Sequence, residues 1–323
     1  MELDLLVPTH CTGDRRVPGE TVRDWARGAE RDGFGGLWAL SHPVRPPTYA
    51  TAFLDPLATL SHVAAVTDEI PLGTSVLLLS MRRTANVAST ALSIAHLANR
   101  QLTLGVGAGN NPKEFEVAGV PMDERGPRLT ESIEVLQALF DGEASYEGRF
   151  HAFEDVRVEP TLDEPPRIVA GGTSRIEDDK RRMPEPVLDR IVDAGGWIAP
   201  PSTPGQVAAE WELIESHAKE RGDEPAAYPR IVLQYVHLVD DEDPATVERG
   251  QREAFERLYS DQRGFEYAQK NCLVGTIDEI GEILADYAAN GVDRVILGPA
   301  RSEPEALDEQ RRLASERLMP RFS

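Results

Sequence analysis

The sequence predicts an α/β fold, a closed (β/α)8 TIM barrel, and three observations carry that reading. Short β-branched runs alternate with amphipathic helical stretches, the pattern of a parallel sheet covered by helices. The runs able to form inner strands number eight, which is the closing number for such a barrel. The chain has 323 residues, and although a prior of roughly 150 residues per domain would allow two domains, α/β barrels of this size are usually one. No compositional shift marks a boundary, so the expectation is a single domain over 1–323 with insertions at about 142–166 and 174–196.

Taken in order, the expected strands are Leu3–Val7, Leu37–Ala39, Leu72–Leu77, Leu102–Val106, Ile168–Ala170, Trp197–Ala199, Ile231–Leu238 and Arg294–Leu297. Helix starts between them are written locally. Thr276-Ile277-Asp278-Glu279 and Thr203-Pro204-Gly205-Gln206 are capping boxes, the second with Pro at the first helical position. Asp55-Pro56 and Asp243-Pro244 read as N-cap and N1 pairs. Leu129, Ile133, Leu136 and Phe140 recur at helical spacing and form one apolar stripe. Asn99 is a candidate left-handed cap, and Arg100 beside it reads as structural. Residues 142–166, with Tyr146-Glu147-Gly148-Arg149-Phe150 as a turn between apolar arms, predict an inserted hairpin. Ser174–Pro186, with its run Glu177-Asp178-Asp179-Lys180-Arg181-Arg182, is too polar for an inner element and is expected as an excursion over one end. That charge run reads as a solvated face, with an anion clamp as the sharper alternative.

Charge narrows the function. The chain holds 55 acidic and 34 basic residues, a net charge of −21, and only four of the basic residues are Lys. So negative a surface repels nucleic acid and anionic membranes, and neither is an expected partner. Carboxylate excess with scarce Lys suits solubility in concentrated salt, so a halophilic source is expected. Apolar stretches such as Val76–Leu79 fall far short of the roughly 20 residues of a spanning helix. The acidic N-terminus lacks the features of a secretory signal, and two cysteines, Cys11 and Cys272, supply no disulfide framework, so a cytoplasmic protein is expected.

In barrels the site is built from loops after the C-terminal ends of the strands. Those loops carry His10, Ser41 and His42, the segment from Gly107 to Lys113, and the segment from Gly171 to Ser174. No Lys lies in an inner strand for Schiff-base chemistry, and no His cluster suggests a metal. Gly105, Gly107 and Gly109 do not fit a dinucleotide fingerprint, but a glycine turn there would let a planar ligand approach the backbone. Gly171-Gly172-Thr173-Ser174 could aim backbone N–H groups at a phosphate. For both clusters the plain alternative is a tight turn needing positive φ. His42 carries an imidazole able to donate or accept a proton at a strand end, or it serves only as a hydrogen-bonded strand terminus. Asn110 could bond a ring carbonyl, although Asn in a turn needs no ligand. His62 and His96 read as packing or surface residues.

Two blocks of the chain resemble a known family. Leu104-Gly105-Val106-Gly107-Ala108-Gly109 through Glu114-Phe115, Gly119-Val120-Pro121, Glu124-Arg125 and Arg128-Leu129 to Glu131 is similar to a signature of the bacterial luciferase-like family of flavin- and deazaflavin-dependent oxidoreductases. Leu273-Val274-Gly275-Thr276 through Gly291-Val292-Asp293-Arg294 is similar to another. The resemblance runs in order from Leu3 to about Gly298. It implies an eight-stranded barrel, usually a homodimer, holding FMN or coenzyme F420 as a dissociable redox partner across the strand ends. Trp38-Ala39-Leu40-Ser41-His42 and Gly73-Thr74-Ser75-Val76-Leu77 resemble the deazaflavin-using members. The resemblance implies a cis peptide between Ser75 and Val76 at a bulge against the ring, and a role for His42 near the hydride acceptor.

The chain departs from that pattern at Ser41 and Asn110, where an acid is common, so the acid/base pair of a dehydrogenase is incomplete. The combined expectation is hydride transfer between F420, preferred over FMN, and a small organic substrate. His42 manages the proton, Ser75, Val76, Gly107 and Asn110 meet the ring, Gly171, Gly172, Thr173 and Ser174 hold the phosphate, and His10 touches the substrate. An FMN-dependent monooxygenase, a non-catalytic flavin-binding protein and a redox-free barrel isomerase or lyase stay open as alternatives.

Overall fold

The computed structural model describes residues 1–322 apart from 10, 13–16, 143, 178 and 179. All eight expected strands form, with ends shifted by two residues at most. They are β1 (Glu2–Leu6), β2 (Leu37–Ala39), β3 (Leu72–Leu78), β4 (Leu102–Gly107), β5 (Arg167–Gly171), β6 (Trp197–Ala199), β7 (Arg230–Val236) and β8 (Arg294–Pro299). They pair in parallel with their sequence neighbours, and β1 pairs with both β2 and β8, closing the barrel. Alternation along each strand decides what goes inside. Trp38, Val169 and Ile198 join Leu6, Leu233, Tyr235 and Ile296 in the interior, whereas Leu37, Ala39, Ile168, Ala170, Trp197 and Ala199 face the helices.

Helix ends follow the sequence signals. The boxes at Thr203 and Thr276 are complete, opening α7 (Pro204–Glu220) and α10 (Ile277–Ala289). Asp55 caps α2 (Pro56–Ala64) and Asp243 caps α8 (Pro244–Leu258) through their side chains. Asn99 ends α3 (Thr84–Ala98) in the left-handed region at φ 50°, and Arg100 bonds Thr67 and the Ala64 carbonyl. The bottom of the barrel is filled by an indole whose polar edge is satisfied. Trp38 Nε1 donates to Asp4 Oδ2 at 2.7 Å, and Arg294 Nη1 donates to both Asp4 oxygens at 3.1 Å. Burial raises the Asp4 pKa, with the Arg294 charge opposing it. Gly73 is small because a Cβ there would collide with the Trp38 ring.

Both insertions are hairpins, but the second is shorter than expected. Ala144–Glu147 pairs with Ala152–Val156, and Arg175–Glu177 pairs with Lys180–Arg182. The stretch beyond it is no excursion: Glu185–Ala194 is α6, joining β5 to β6 as a regular barrel helix with Ile191 and Val192 buried. The adjoining charge run hid the helical spacing of Val187, Leu188, Ile191 and Val192 in the sequence.

His237, just past β7, is buried and its Nδ1 has no partner among the described residues. Burial, reinforced by Arg301, lowers its pKa from 6.5 to about 4, against the pull of Glu253 and Glu303. The unfolded chain therefore takes up a proton that the fold refuses, and this contribution to stability is full above about 6.5 and is lost as the pH falls toward about 4. Wild-type protein should lose stability faster than His237→Gln between pH 7 and pH 4, by up to about 3 kcal/mol in urea unfolding; parallel curves would contradict this.

Candidate active site

A cavity of about 470 Å³ opens at the C-terminal ends of the strands. Its floor is shaped around one side chain. The register of β3 against β4 shifts between Thr74 and Leu77, and the peptide between Ser75 and Val76 is cis, as the family resemblance implied. Val76 stands between two glycines. A Cβ on Gly107 would meet Val76 Cγ2 at 2.7 Å, and one on Gly171 would approach Val76 Cγ1 at 3.4 Å and the Val106 carbonyl at 3.2 Å. Any larger residue at Gly107 would have to displace Val76.

One wall carries His42, directly after β2. Its Nδ1 lies 3.0 Å from Glu114 Oε1, and its ring centroid is 5.8 Å from that of Tyr49 and 5.4 Å from that of Phe53. Glu114 belongs to the first turn of α4 (Pro112–Ala118), opened by Asn111, whose side chain accepts from the Lys113 amide. An ionised Glu114 can only accept, which would put the hydrogen on Nδ1 and leave Nε2 as a proton acceptor. The carboxylate beside His42 is thus Glu114, buried behind the wall, whereas positions 41 and 110 carry Ser and Asn. Sequence reading quoted Glu114 without assigning it this role, because its partner lies 72 positions away.

The opposite wall carries Gly171, Gly172 and Thr173. Neither glycine has positive φ; in the other cluster only Gly109 does, at 77°. Gly172 is required instead by close packing, since a Cβ would meet Val187 Cγ1 of α6 at 2.5 Å. Three donors of this turn, the Ser174 amide and the hydroxyls of Thr173 and Ser174, are already committed. Buried Glu210 Oε1 accepts from Thr173 Oγ1 at 2.9 Å, from the Ser174 amide at 2.9 Å and from Ser174 Oγ at 2.6 Å. Arg181 donates to Ser174 Oγ at 2.7 Å, so it braces the turn and is neither a free clamp nor a fully solvated charge.

Of the expected site residues, His42, Ser75, Val76, Gly107, Asn110, Gly171, Gly172 and Thr173 line one cavity. Ser174 faces Glu210 instead, and His10 lies outside the described residues. Tyr49, Arg263 and Tyr267 also line the cavity; no sequence signal marks them, because Tyr49 lies in irregular chain and Arg263 and Tyr267 at the start of a short helix, Gly264–Asn271, that follows no strand end directly. No Asp or Glu lines it among the described residues. Three buried polar atoms at or beside its wall lack partners among the described residues: Ser41 Oγ, Asn111 Nδ2 and Glu114 Oε2.

The model of the family described as Luciferase-like monooxygenase matches residues 1–295. The chain belongs to this luciferase-like family. Its members are flavin- or F420-dependent oxidoreductases and monooxygenases. An uncharacterized protein of Mycobacterium tuberculosis is 30% identical over 147 residues, 45% of this chain and 48% of that one. An F420-dependent glucose-6-phosphate dehydrogenase of Kineococcus radiotolerans is 30% identical over 169 residues, 50% of this chain and 49% of the other. The chain thus spans about half the length of these curated relatives. The monooxygenase RslO1 of Streptomyces bottropensis shares the fold, with a TM-score of 0.81, 20% identity and 100% of both chains covered.

In this luciferase-like barrel Glu210→Ala would strip the Thr173–Ser174 turn of its common acceptor. We expect it to cost about 1–3 kcal/mol in urea unfolding, the penalty for leaving buried donors unpaired. An unchanged midpoint would show that the turn does not depend on Glu210.

Proposed function

We propose that the chain transfers hydride between coenzyme F420, in preference to FMN, and a small organic substrate. The observation that carries this reading is the His42–Glu114 pair facing the Val76 floor across one cavity. The site fits a planar group with polar edges: Val76, Ile198 and Leu233 give it apolar surface, and the unpartnered Ser41 and Asn111 give it bonding groups. The preference for F420 is supported by the resemblance of Gly73–Leu77 to deazaflavin users and by the Kineococcus relative. When bound, the deazaflavin supplies the hydride-exchanging carbon and reacts poorly with dioxygen, so the protein's share is orientation and proton handling.

The residues divide that share. Val76, Gly107 and Gly171 set the height of the floor, and Ser75, Asn110 and Thr173 line the mouth around it. His42 Nε2 accepts the proton of a substrate hydroxyl as the carbon is oxidised, and returns it in the reverse direction. Glu114 fixes the tautomer and steadies the imidazolium, as a carboxylate behind a histidine does.

Titration of the purified chain with F420 and with FMN, read by absorbance and fluorescence, tests the cofactor. Binding of F420 with no uptake of dioxygen supports the reading, whereas FMN binding with dioxygen consumption replaces it by a monooxygenase. His42→Ala should slow turnover by about 100-fold or more, and unchanged turnover removes His42 from the mechanism. Glu114→Gln should lower kcat while leaving cofactor affinity unchanged.

A further inference from the structure

The roof of the cavity carries a charge that proton transfer does not use. Residues 46–52 and 258–264 meet above the mouth. The Ala50 amide donates to Leu258 O at 2.9 Å and the Ser260 amide to Thr48 O at 3.2 Å, with Tyr49 and Tyr259 in an antiparallel bridge. This seam brings Arg263 and Tyr267 to the cavity. The Arg263 guanidinium rests on phenol rings: its Cζ is 4.4 Å from the centroid of Tyr267, 5.5 Å from Tyr49 and 5.6 Å from Tyr259. Among the described residues no carboxylate oxygen comes within 4.0 Å of its nitrogens. That is notable in a chain with 55 acidic residues, none of which lines this cavity among the described residues.

We propose that Arg263 is the binding site for an oxyanion of the substrate, a carboxylate or a phosphate. This rests on the hydride-transfer reading for its place in catalysis, although the subsite itself needs no cofactor. A planar guanidinium held by aromatic faces offers a fork that pairs bidentately with such a group, and the surrounding rings keep water from competing. The site is separate from the Gly171–Thr173 turn, because β5 lies three strands from β2 around the barrel, whereas Arg263 shares the Tyr49 ring with His42. The distances from Tyr49 to each put His42 and Arg263 no more than about 11 Å apart, the sum of the two spans. The substrate is therefore small, with its anionic group and its oxidised carbon a few bonds apart.

Calorimetric titration of the full chain, without cofactor and at fixed ionic strength, tests this with benzoate, phenyl phosphate and the neutral isostere benzamide. Wild-type protein should bind one anion at least about 10-fold more tightly than benzamide, the value of a charge-assisted pair. Arg263→Gln should abolish that preference and Arg263→Lys should keep part of it. Preference for benzoate assigns a carboxylate, and preference for phenyl phosphate a phosphate ester. Equal binding of all three probes by wild-type protein overturns the proposal without any variant, as does a preference that survives Arg263→Gln. An intact preference in a chain that binds neither F420 nor FMN refutes the hydride-transfer reading and leaves the subsite standing.

Discussion

A carboxylate taken out of water must collect donors, and this chain uses that requirement to fasten its loops. Glu30 gathers the amides of Asp68, Glu69 and Ile70, and Glu131 gathers those of Arg149, Phe150 and His151. In both, burial would raise the pKa, but at Glu30 these N–H groups outweigh it, and at Glu131 the His151 ring outweighs it together with them, so that each carboxyl is held below its usual range. Glu210 does the same for the Thr173–Ser174 turn, and Glu114 for the imidazole of His42. The last two stand behind opposite walls of the cavity, so the mouth is shaped by negative charge that never faces into it.

The barrel was legible because its signals are local and periodic. Strand alternation, two capping boxes and two Asp-Pro starts each act within a few residues, and all eight strands lie where their apolar runs place them. The failure at residues 185–194 was local as well, since a dense charge run beside α6 outweighed four apolar positions at helical spacing. The site was legible only in part. His42 and the glycine turns follow strand ends, where chemistry in a barrel is expected. Glu114, Glu210 and Arg263 act on partners dozens of positions away or arrive on irregular chain, and no spacing rule connects them.

The glycines show how one residue type answers different demands. Gly109 is present for a backbone conformation, Gly172 for a helix that packs too close, and Gly107 for the side chain of Val76. Sequence reading offered positive φ or ligand approach for these turns, and the commonest answer proved to be steric room for a neighbour. That distinction bears on the site, because room made for Val76 fixes the height of the floor against which a planar ligand would lie.

The seam above the mouth is joined by main-chain amides and carbonyls of residues some 200 positions apart. Bonds of that kind are indifferent to the side chains they carry. Replacing Arg263 or Tyr267 would therefore leave those main-chain bonds in place, so the lining of the mouth can be altered without opening the span above it.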